Sequence, residues 1–254
     1  MIRLWLVGSA VRSSPSPAMH LAALRACGIA GDYEIREVPP EGVPAVVECL
    51  RAGEARGCNV TMPYKATFSQ ACDVLEGDAS SLRLVNTVTV EGAPPDVLHD
   101  PGPSDRRAPH VLIGDNTDAR GFELSLLELE LWPRSGAQGV VLGAGGAAGA
   151  VALALTRVPV GRLTLVARRL EAGRELAAKL QATTAIEVIP WSTAVTSPLA
   201  AADIVVNTTP AGLAAMPFSI DSLKPSCVVC DLRYHPRPVD IPAAAAAAGL
   251  RACD

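Results

Sequence analysis

An α/β protein of two domains is predicted by three features of the sequence. Short apolar runs of strand length alternate with helix-length patterns along nearly the whole chain, which points to mostly parallel sheets with covered faces. A polar, proline-rich break at Glu91–His110 divides this alternation into two series. A glycine-rich turn, Gly143–Gly149, sits where the second series begins. The composition suits the prediction: 49% of residues are hydrophobic but only 4% aromatic, so Ala, Val and Leu must build the core. A length of 254 residues allows one large domain or two modest ones.

Taken in order, Ile2–Val7 reads as a strand and Ala18–Cys27 as a helix stopped by Gly28. Glu34–Val38 is a second strand, and Val43–Leu50 a helix that ends near Gly53. Gly57–Thr61 is a third strand, Ala66–Leu75 a helix, and Leu82–Val90 a strand of period two. The break at Glu91–His110 holds five prolines and eight charged or His residues, too polar for core and too Pro-rich for a helix, so a surface loop is expected. Ala119–Leu131 follows as a helix, and a new β-α series opens at Gly139. Its strands are Val140–Leu142, Leu163–Val166, Ile186–Ile189, Ile204–Val206 and Val228–Leu232. Two sheets therefore meet near residue 118, giving domains 1–118 and 119–254.

Several function classes are excluded early. A net charge of −4 offers no basic surface to nucleic acid. Met1–Val11 has the apolarity of a short signal peptide, but Arg12 and two prolines follow at once; a buried first strand is expected instead. Ser135–Thr156 is uncharged and long enough to span a bilayer, yet its middle is the weakly apolar glycine-rich turn. A soluble, cytoplasmic protein with no membrane partner is expected. The seven scattered cysteines read as reduced, buried thiols. Cys227-Val-Val-Cys230 has metal or redox spacing, but no second pair completes a zinc site, and no metal is expected.

The residues that carry chemistry cluster at strand ends. Gly143-Ala144-Gly145-Gly146-Ala147-Ala148 follows a short apolar strand and opens an Ala-rich helix. This is G-x-G-x-x-A, whose glycines let a pyrophosphate approach N–H groups at a helix start, so a Rossmann-type dinucleotide site is expected. The next strand runs into Ala167-Arg168-Arg169 where an NAD site usually presents an acid. Two guanidiniums suit a 2′-phosphate, which points to NADP(H); solvated surface arginines are the bland alternative. In the first half, Gly57–Lys65 ends a strand in a proline turn and places a lysine at its carboxyl end. Asn86-Thr87 at another strand end and Asp115–Asp118 at the domain junction add further polar groups; Asp118 also suits the N-cap of the following helix. The hydroxyls of Ser13, Ser14 and Ser16 either cap a helix or hold a carboxylate.

With these motifs in order, the chain resembles the shikimate dehydrogenase family from Ser14 to about Gly249. The family's S-x-S-P appears as Ser14–Pro17, N-V-T-x-P-x-K as Asn59–Lys65, V-N-T as Val85–Thr87 and G-x-N-T-D as Gly114–Asp118. N-T-T-P-x-G appears as Asn207–Gly212 and D-x-x-Y-x-P as Asp231–Pro236. The resemblance implies a substrate-binding domain followed by an NADP-binding Rossmann domain. It implies that Ser14 and Ser16 bind the substrate carboxylate, and that Thr61, Asn86 and Asp118 hold ring hydroxyls. Lys65 and Asp118 would be the catalytic pair, and Tyr234 would lie near the substrate. Asn207, Thr208, Thr209 and Gly212 would lie near the nicotinamide.

Four departures from the family pattern stand out. Ser13 replaces the usual His, and Leu21 after His20 replaces an Asn. Ala167 replaces the Asn of N-R-T, while Arg168 remains. The 32-residue spacing from Asn86 to Asp118 is long because of the Pro-rich loop. The family also implies a terminal helix with a substrate-facing Gln beyond Asp254, so either a shortened chain or a more open pocket is expected. The implied reaction is NADP(H)-dependent interconversion of 3-dehydroshikimate and shikimate, a step toward aromatic amino acids, by a monomer or homodimer. A quinate or amino-substituted analogue is the alternative substrate, and a non-catalytic metabolite or cofactor sensor the alternative class.

Overall fold

Two six-stranded sheets organise the chain, one in each of two compact units, Met1–Thr117 and Asp118–Asp254. The structure is a computed structural model and describes every residue except 93–109, 159, 181–183, 193–195 and 234–239. Both sheets are α/β and mostly parallel, as the alternation predicts.

In the first unit the sheet order is β2 (Gly31–Glu37), β1 (Ile2–Gly8), β3 (Gly57–Val60), β5 (Thr87–Glu91), β6 (Val111–Asp115) and β4 (Val74–Leu75). β1 is parallel to β2 and β3, and β4 to β6, whereas β5 runs antiparallel to both β3 and β6. That reversal has a consequence for the site. The carboxyl ends of β1, β3 and β6 and the amino end of β5 all fall on one edge of the sheet. Trp5 and Val7 of β1 pack with Val43, Val46 and Leu50 of α2 (Val43–Arg51) in the core of this unit. The three α2 residues share one helical face, and Pro44 sits in the first turn, where its missing N–H costs nothing.

In the second unit the order is β12 (Arg251–Cys253), β11 (Val228–Asp231), β10 (Ile204–Asn207), β7 (Gln138–Leu142), β8 (Arg162–Ala167) and β9 (Ile186–Pro190). Every pairing is parallel. Counted from β7, the strands lie 3-2-1-4-5-6, the doubly wound Rossmann order with its switch point beside β7. The uncharged stretch Ser135–Thr156 divides into β7, a turn and α6 (Gly146–Arg157). Among the described residues no helix is long and apolar enough to cross a membrane. Nearly every side of α6 is covered, with Ala148 to Ala152, Ala154 and Leu155 buried. Its small side chains let it sit close to α5 (Asp118–Glu128) and to the sheet.

Some element bounds differ from the sequence reading. The expected helix Ala66–Leu75 is α3 (Lys65–Ala71) and stops early. Asp73 receives two 2.8 Å bonds from Arg51 and a third of 2.8 Å from the Leu112 N–H, which draws the chain into β4. The expected strand Leu82–Val90 begins only at Thr87. Leu82 instead ends α4 (Gly77–Leu82), where it and Ala79 are buried one turn apart. Arg83 then adopts a left-handed φ of 55° that stops the helix. β4, β6 and β12 are too short or too close to the proline-rich break for periodicity to mark them. Most of that break, residues 93–109, lies outside the described residues.

Candidate functional site

On the shared edge of the first sheet, four strand ends contribute polar groups. After β1 the chain reaches Ser14, whose hydroxyl donates to Ser16 Oγ at 3.0 Å and accepts the Ser16 N–H at 3.2 Å. α1 (Ser16–Ala26) starts there, and no side chain caps it at Pro15. β3 ends in a turn in which the Tyr64 N–H donates to Thr61 O at 2.9 Å, and α3 then opens with Lys65. Main-chain bonds join the pieces. Ser9 N–H donates to Met62 O at 3.2 Å, Val60 N–H to Asn86 O at 2.8 Å and Val85 N–H to Lys65 O at 2.9 Å. The serine loop, the lysine turn and the start of β5 are therefore held against one another.

A partly buried polar chain underlies this edge. Tyr33 donates its hydroxyl to Asn59 Oδ1 at 2.8 Å, and Asn59 Nδ2 reaches Thr87 Oγ1 at 3.5 Å. Thr87 donates to Asn86 Oδ1 at 2.9 Å, which also accepts the Thr117 N–H at 3.0 Å. Asn86 Nδ2 donates to Thr117 Oγ1 at 3.1 Å. Burial raises the Tyr33 hydroxyl above its ordinary pKa and so keeps it a donor. His20 stacks on the Tyr33 ring at 4.5 Å, and burial lowers its pKa, which favours the neutral imidazole. Such a network fixes side-chain directions because each member has a defined partner.

In the second unit, the loops after β7, β8, β9 and β10 enclose a cavity of about 170 Å³. Its walls include Gly143, Gly145, Arg168, Arg169, Trp191 and Thr209. Gly145 precedes α6 without a side-chain cap, and a Cβ built there meets nothing within 4 Å. The N-terminal N–H groups of α6 thus border open space, as an anionic pyrophosphate requires. Arg168 places its guanidinium 5.1 Å from the centre of the Trp191 ring, and both Arg168 and Arg169 are exposed. A dinucleotide carrying an extra phosphate fits this donor set: backbone N–H groups for the pyrophosphate, two guanidiniums for the second anion and an indole for a base.

Gly143 has φ of +123°, and a Cβ there would stand 2.5 Å from Thr208 Oγ1. Thr208 is fixed, since its hydroxyl donates to Leu142 O at 2.6 Å. Gly143→Ala is therefore expected to cost about 1–3 kcal/mol of stability and to weaken dinucleotide binding. Urea unfolding and a fluorescence titration measure the two effects. An unchanged unfolding midpoint would show that the turn accepts a side chain.

The far side of the β10 loop is anchored by charge. Asn207 is buried and donates to Asp231 Oδ1 at 2.9 Å, Ala211 O at 3.2 Å and Thr209 O at 3.3 Å. Asp231, at the end of β11, is fully buried and paired with Arg233, whose Nε lies 2.9 Å and Nη2 2.6 Å from Oδ2. Arg233 also grips Asp240 at the start of α9 (Asp240–Ala247), and Asp240 Oδ2 accepts the Leu213 N–H at 2.7 Å. Both ends of the 207–213 loop are thereby tied to one guanidinium.

Comparison with known proteins identifies this arrangement. Residues 6–88 match the shikimate dehydrogenase substrate binding domain. A shikimate dehydrogenase (NADP(+)) of Rubrobacter xylanophilus is 38% identical over 235 residues, covering 91% of this chain and 76% of the relative. The chain belongs to the shikimate dehydrogenase family. Shikimate 5-dehydrogenase from Thermus thermophilus, crystallised with NADP(H) and shikimate, superposes on 99% of this chain and 86% of its own at 31% identity and a TM-score of 0.79. Quinate dehydrogenase from Corynebacterium glutamicum, in complex with NAD, shares 27% identity and a TM-score of 0.82 over 99% of this chain and 86% of its own.

Within this shikimate dehydrogenase family member, Ser14, Ser16, Thr61, Lys65 and Asn86 gather on the edge of the first sheet. Asp118 opens α5 and follows Thr117, the partner of Asn86, directly in the chain. Gly143 to Ala148 form the β7–α6 turn, with Arg168 and Arg169 after β8. Asn207 and Thr208 have their polar atoms engaged within the unit, whereas Thr209 and Pro210 line the cavity. Gly212 lies where a Cβ would meet Asp240 Oδ2 at 2.9 Å. Tyr234 lies outside the described residues. Periodicity and motif spacing do not reveal Tyr33, Trp191, Arg233 or Asp240. Of these only Arg233 carries a signal, a cation inside the D-x-x-Y-x-P motif two residues from its Asp.

Proposed function

We propose that this chain catalyses the NADP(H)-dependent interconversion of 3-dehydroshikimate and shikimate, with Lys65 and Asp118 as its acid–base pair. The observation that carries this reading is the first sheet's edge, where two hydroxyls, a threonine, an asparagine and a lysine converge. A small acid bearing ring hydroxyls and a ketone needs those groups. Bound NADPH supplies the hydride. Ser14 and Ser16 present adjacent donors to the substrate carboxylate, and Thr61 and Asn86 orient the ring through its hydroxyls. Lys65 Nζ delivers a proton to the carbonyl oxygen in the reducing direction and removes it in the oxidising one. Asp118 is the carboxylate of that pair. In the second unit, N–H groups at the start of α6 hold the pyrophosphate, and Arg168 with Arg169 holds the 2′-phosphate.

The test is NADP⁺ reduction with shikimate, repeated with quinate and with NAD⁺. Turnover of shikimate with NADP⁺ supports the reading. Turnover of quinate alone moves the substrate to the one named for the Corynebacterium neighbour. Failure with every pair while NADPH still binds leaves a non-catalytic binding protein. Cofactor choice has its own test. Arg168→Ala is expected to weaken NADPH by about 10- to 100-fold, the worth of a charge-assisted hydrogen bond, and NADH far less. Equal losses for both cofactors would remove the 2′-phosphate from the assignment.

A further inference from the structure

We propose that Cys230 and Cys253 form a reversible dithiol–disulfide site that a peroxide-class oxidant closes across the edge of the second sheet. β11 and β12 are parallel neighbours, and their register places Cys230 directly opposite Cys253. Side chains at opposed positions of adjacent strands lie on the same face. The two sulfurs stand 3.2 Å apart. Neighbouring strands lie about 4.7–4.9 Å apart, within the Cα separation of roughly 4.4–6.8 Å that a disulfide spans. Closing the bond to about 2.05 Å therefore asks for a small side-chain shift, and no strand has to move. β12 is the edge strand and three residues long, so it is the partner able to adjust.

The two thiols are unequal in ways that assign their roles. Cys230 is 1% exposed, whereas Cys253 is partly exposed and open to a small oxidant. The contact with Cys230 lowers the Cys253 thiol below its ordinary pKa, while that contact and then burial raise Cys230. Cys253 is accordingly the attacking thiolate and Cys230 the resolving thiol. Cys253 Sγ attacks one peroxide oxygen, the O–O bond breaks, and the departing hydroxide takes a proton to become water. Cys230 Sγ then attacks the sulfenic sulfur, the S–O bond breaks, and the thiol proton leaves with that oxygen as a second water. Two thiols are oxidised by two electrons and one peroxide is reduced. Cys227, one residue before β11, packs with Val229 in a core cluster that leaves out Cys230 and takes no part, despite the C-x-x-C spacing.

The experiment uses the reduced full chain, treated with hydrogen peroxide, quenched by alkylation, and analysed by thiol titration under denaturing conditions and by peptide mapping. Titratable thiols should fall by two from seven, with one linked peptide pair containing Cys230 and Cys253 and full reversal by dithiothreitol. In Cys253→Ser, Cys230 should remain alkylatable at the same peroxide dose. A bond between any other pair would overturn the proposal. So would over-oxidation of Cys253 with Cys230 still a thiol, or seven thiols surviving the treatment.

Discussion

Lys65→Ala is expected to lower kcat by about 10²–10⁴-fold, the usual contribution of a positioned acid–base group, while NADPH affinity stays near wild type. That range equals about 2.7–5.4 kcal/mol of transition-state stabilisation. The structure makes the variant a clean probe. Lys65 holds the start of α3 through its main chain, accepting the Val85 N–H at 2.9 Å, and alanine keeps that bond. The cofactor cradle lies in the other compact unit, so the loss should appear in kcat and in the KM for the hydroxy acid. Lys65→Arg separates charge from proton transfer. A guanidinium keeps the positive charge but does not release a proton in a protein, so this variant should bind substrate better than Lys65→Ala and turn over as poorly. Steady-state kinetics in both directions, with a separate NADPH titration, decide the matter. Wild-type turnover in Lys65→Ala would remove the lysine from the chemistry.

What the sequence made legible follows a physical division. Features fixed by local backbone demands could be read. Gly143 must be glycine because its φ is +123°, and its turn announces itself as G-x-G-x-x-A. The alternation that predicts β7 and β8 reflects strands buried along most of their length. Lys65 and Asn86 were legible as polar residues at strand ends, where short apolar runs have no reason to collect them, and Ser14 as a hydroxyl just before a helix; Thr61 is marked as a site residue only by the family motif. Features fixed by pairing between distant segments could not be read. Nothing local shows that β5 is reversed, yet that reversal brings Asn86 to the same edge as Lys65. Trp191 meets Arg168 only because β9 lies beside β8. Cys230 faces Cys253 in the next strand, and the nearby Cys227, which spacing alone would pair with it, packs into the core with Val229 instead. Arg233 shows only as a cation inside the D-x-x-Y-x-P motif; its second partner, Asp240, enters from a helix and is hidden for the same reason.

Arg233→Met is expected to destabilise the protein by about 3–5 kcal/mol, the cost of leaving a buried charge without its partner. The Asp231 carboxylate is fully buried and the Arg233 side chain only 6% exposed. Removing the guanidinium takes away the cation that faces both Asp231 oxygens and leaves the Asn207 amide and the Arg233 N–H as neutral donors. Methionine preserves the apolar stem, so the lost stability reports charge more than packing. A double-mutant cycle isolates it: Asp231→Asn with Arg233→Met should recover much of the loss, because no buried anion remains to be neutralised. Acid probes the same network from its other carboxylate. Burial acts to raise Asp240, but Arg233 and the Leu213 N–H outweigh it and hold the carboxyl below its usual pKa. A depressed folded-state pKa means a contribution that is complete above the unfolded-state value and is lost as pH falls through the folded-state one. Arg233→Met should therefore show a flatter acid limb as well as a lower plateau. The same guanidinium ties both ends of the 207–213 loop, so NADPH affinity should fall with stability, and Arg233→Lys, which keeps the charge but loses the planar fork, should lie between. Urea denaturation across pH, with NADPH titration on each variant, measures all of this. A loss below about 1 kcal/mol, the scale of an exposed pair, would mean that solvent reaches Asp231 once the arginine is gone.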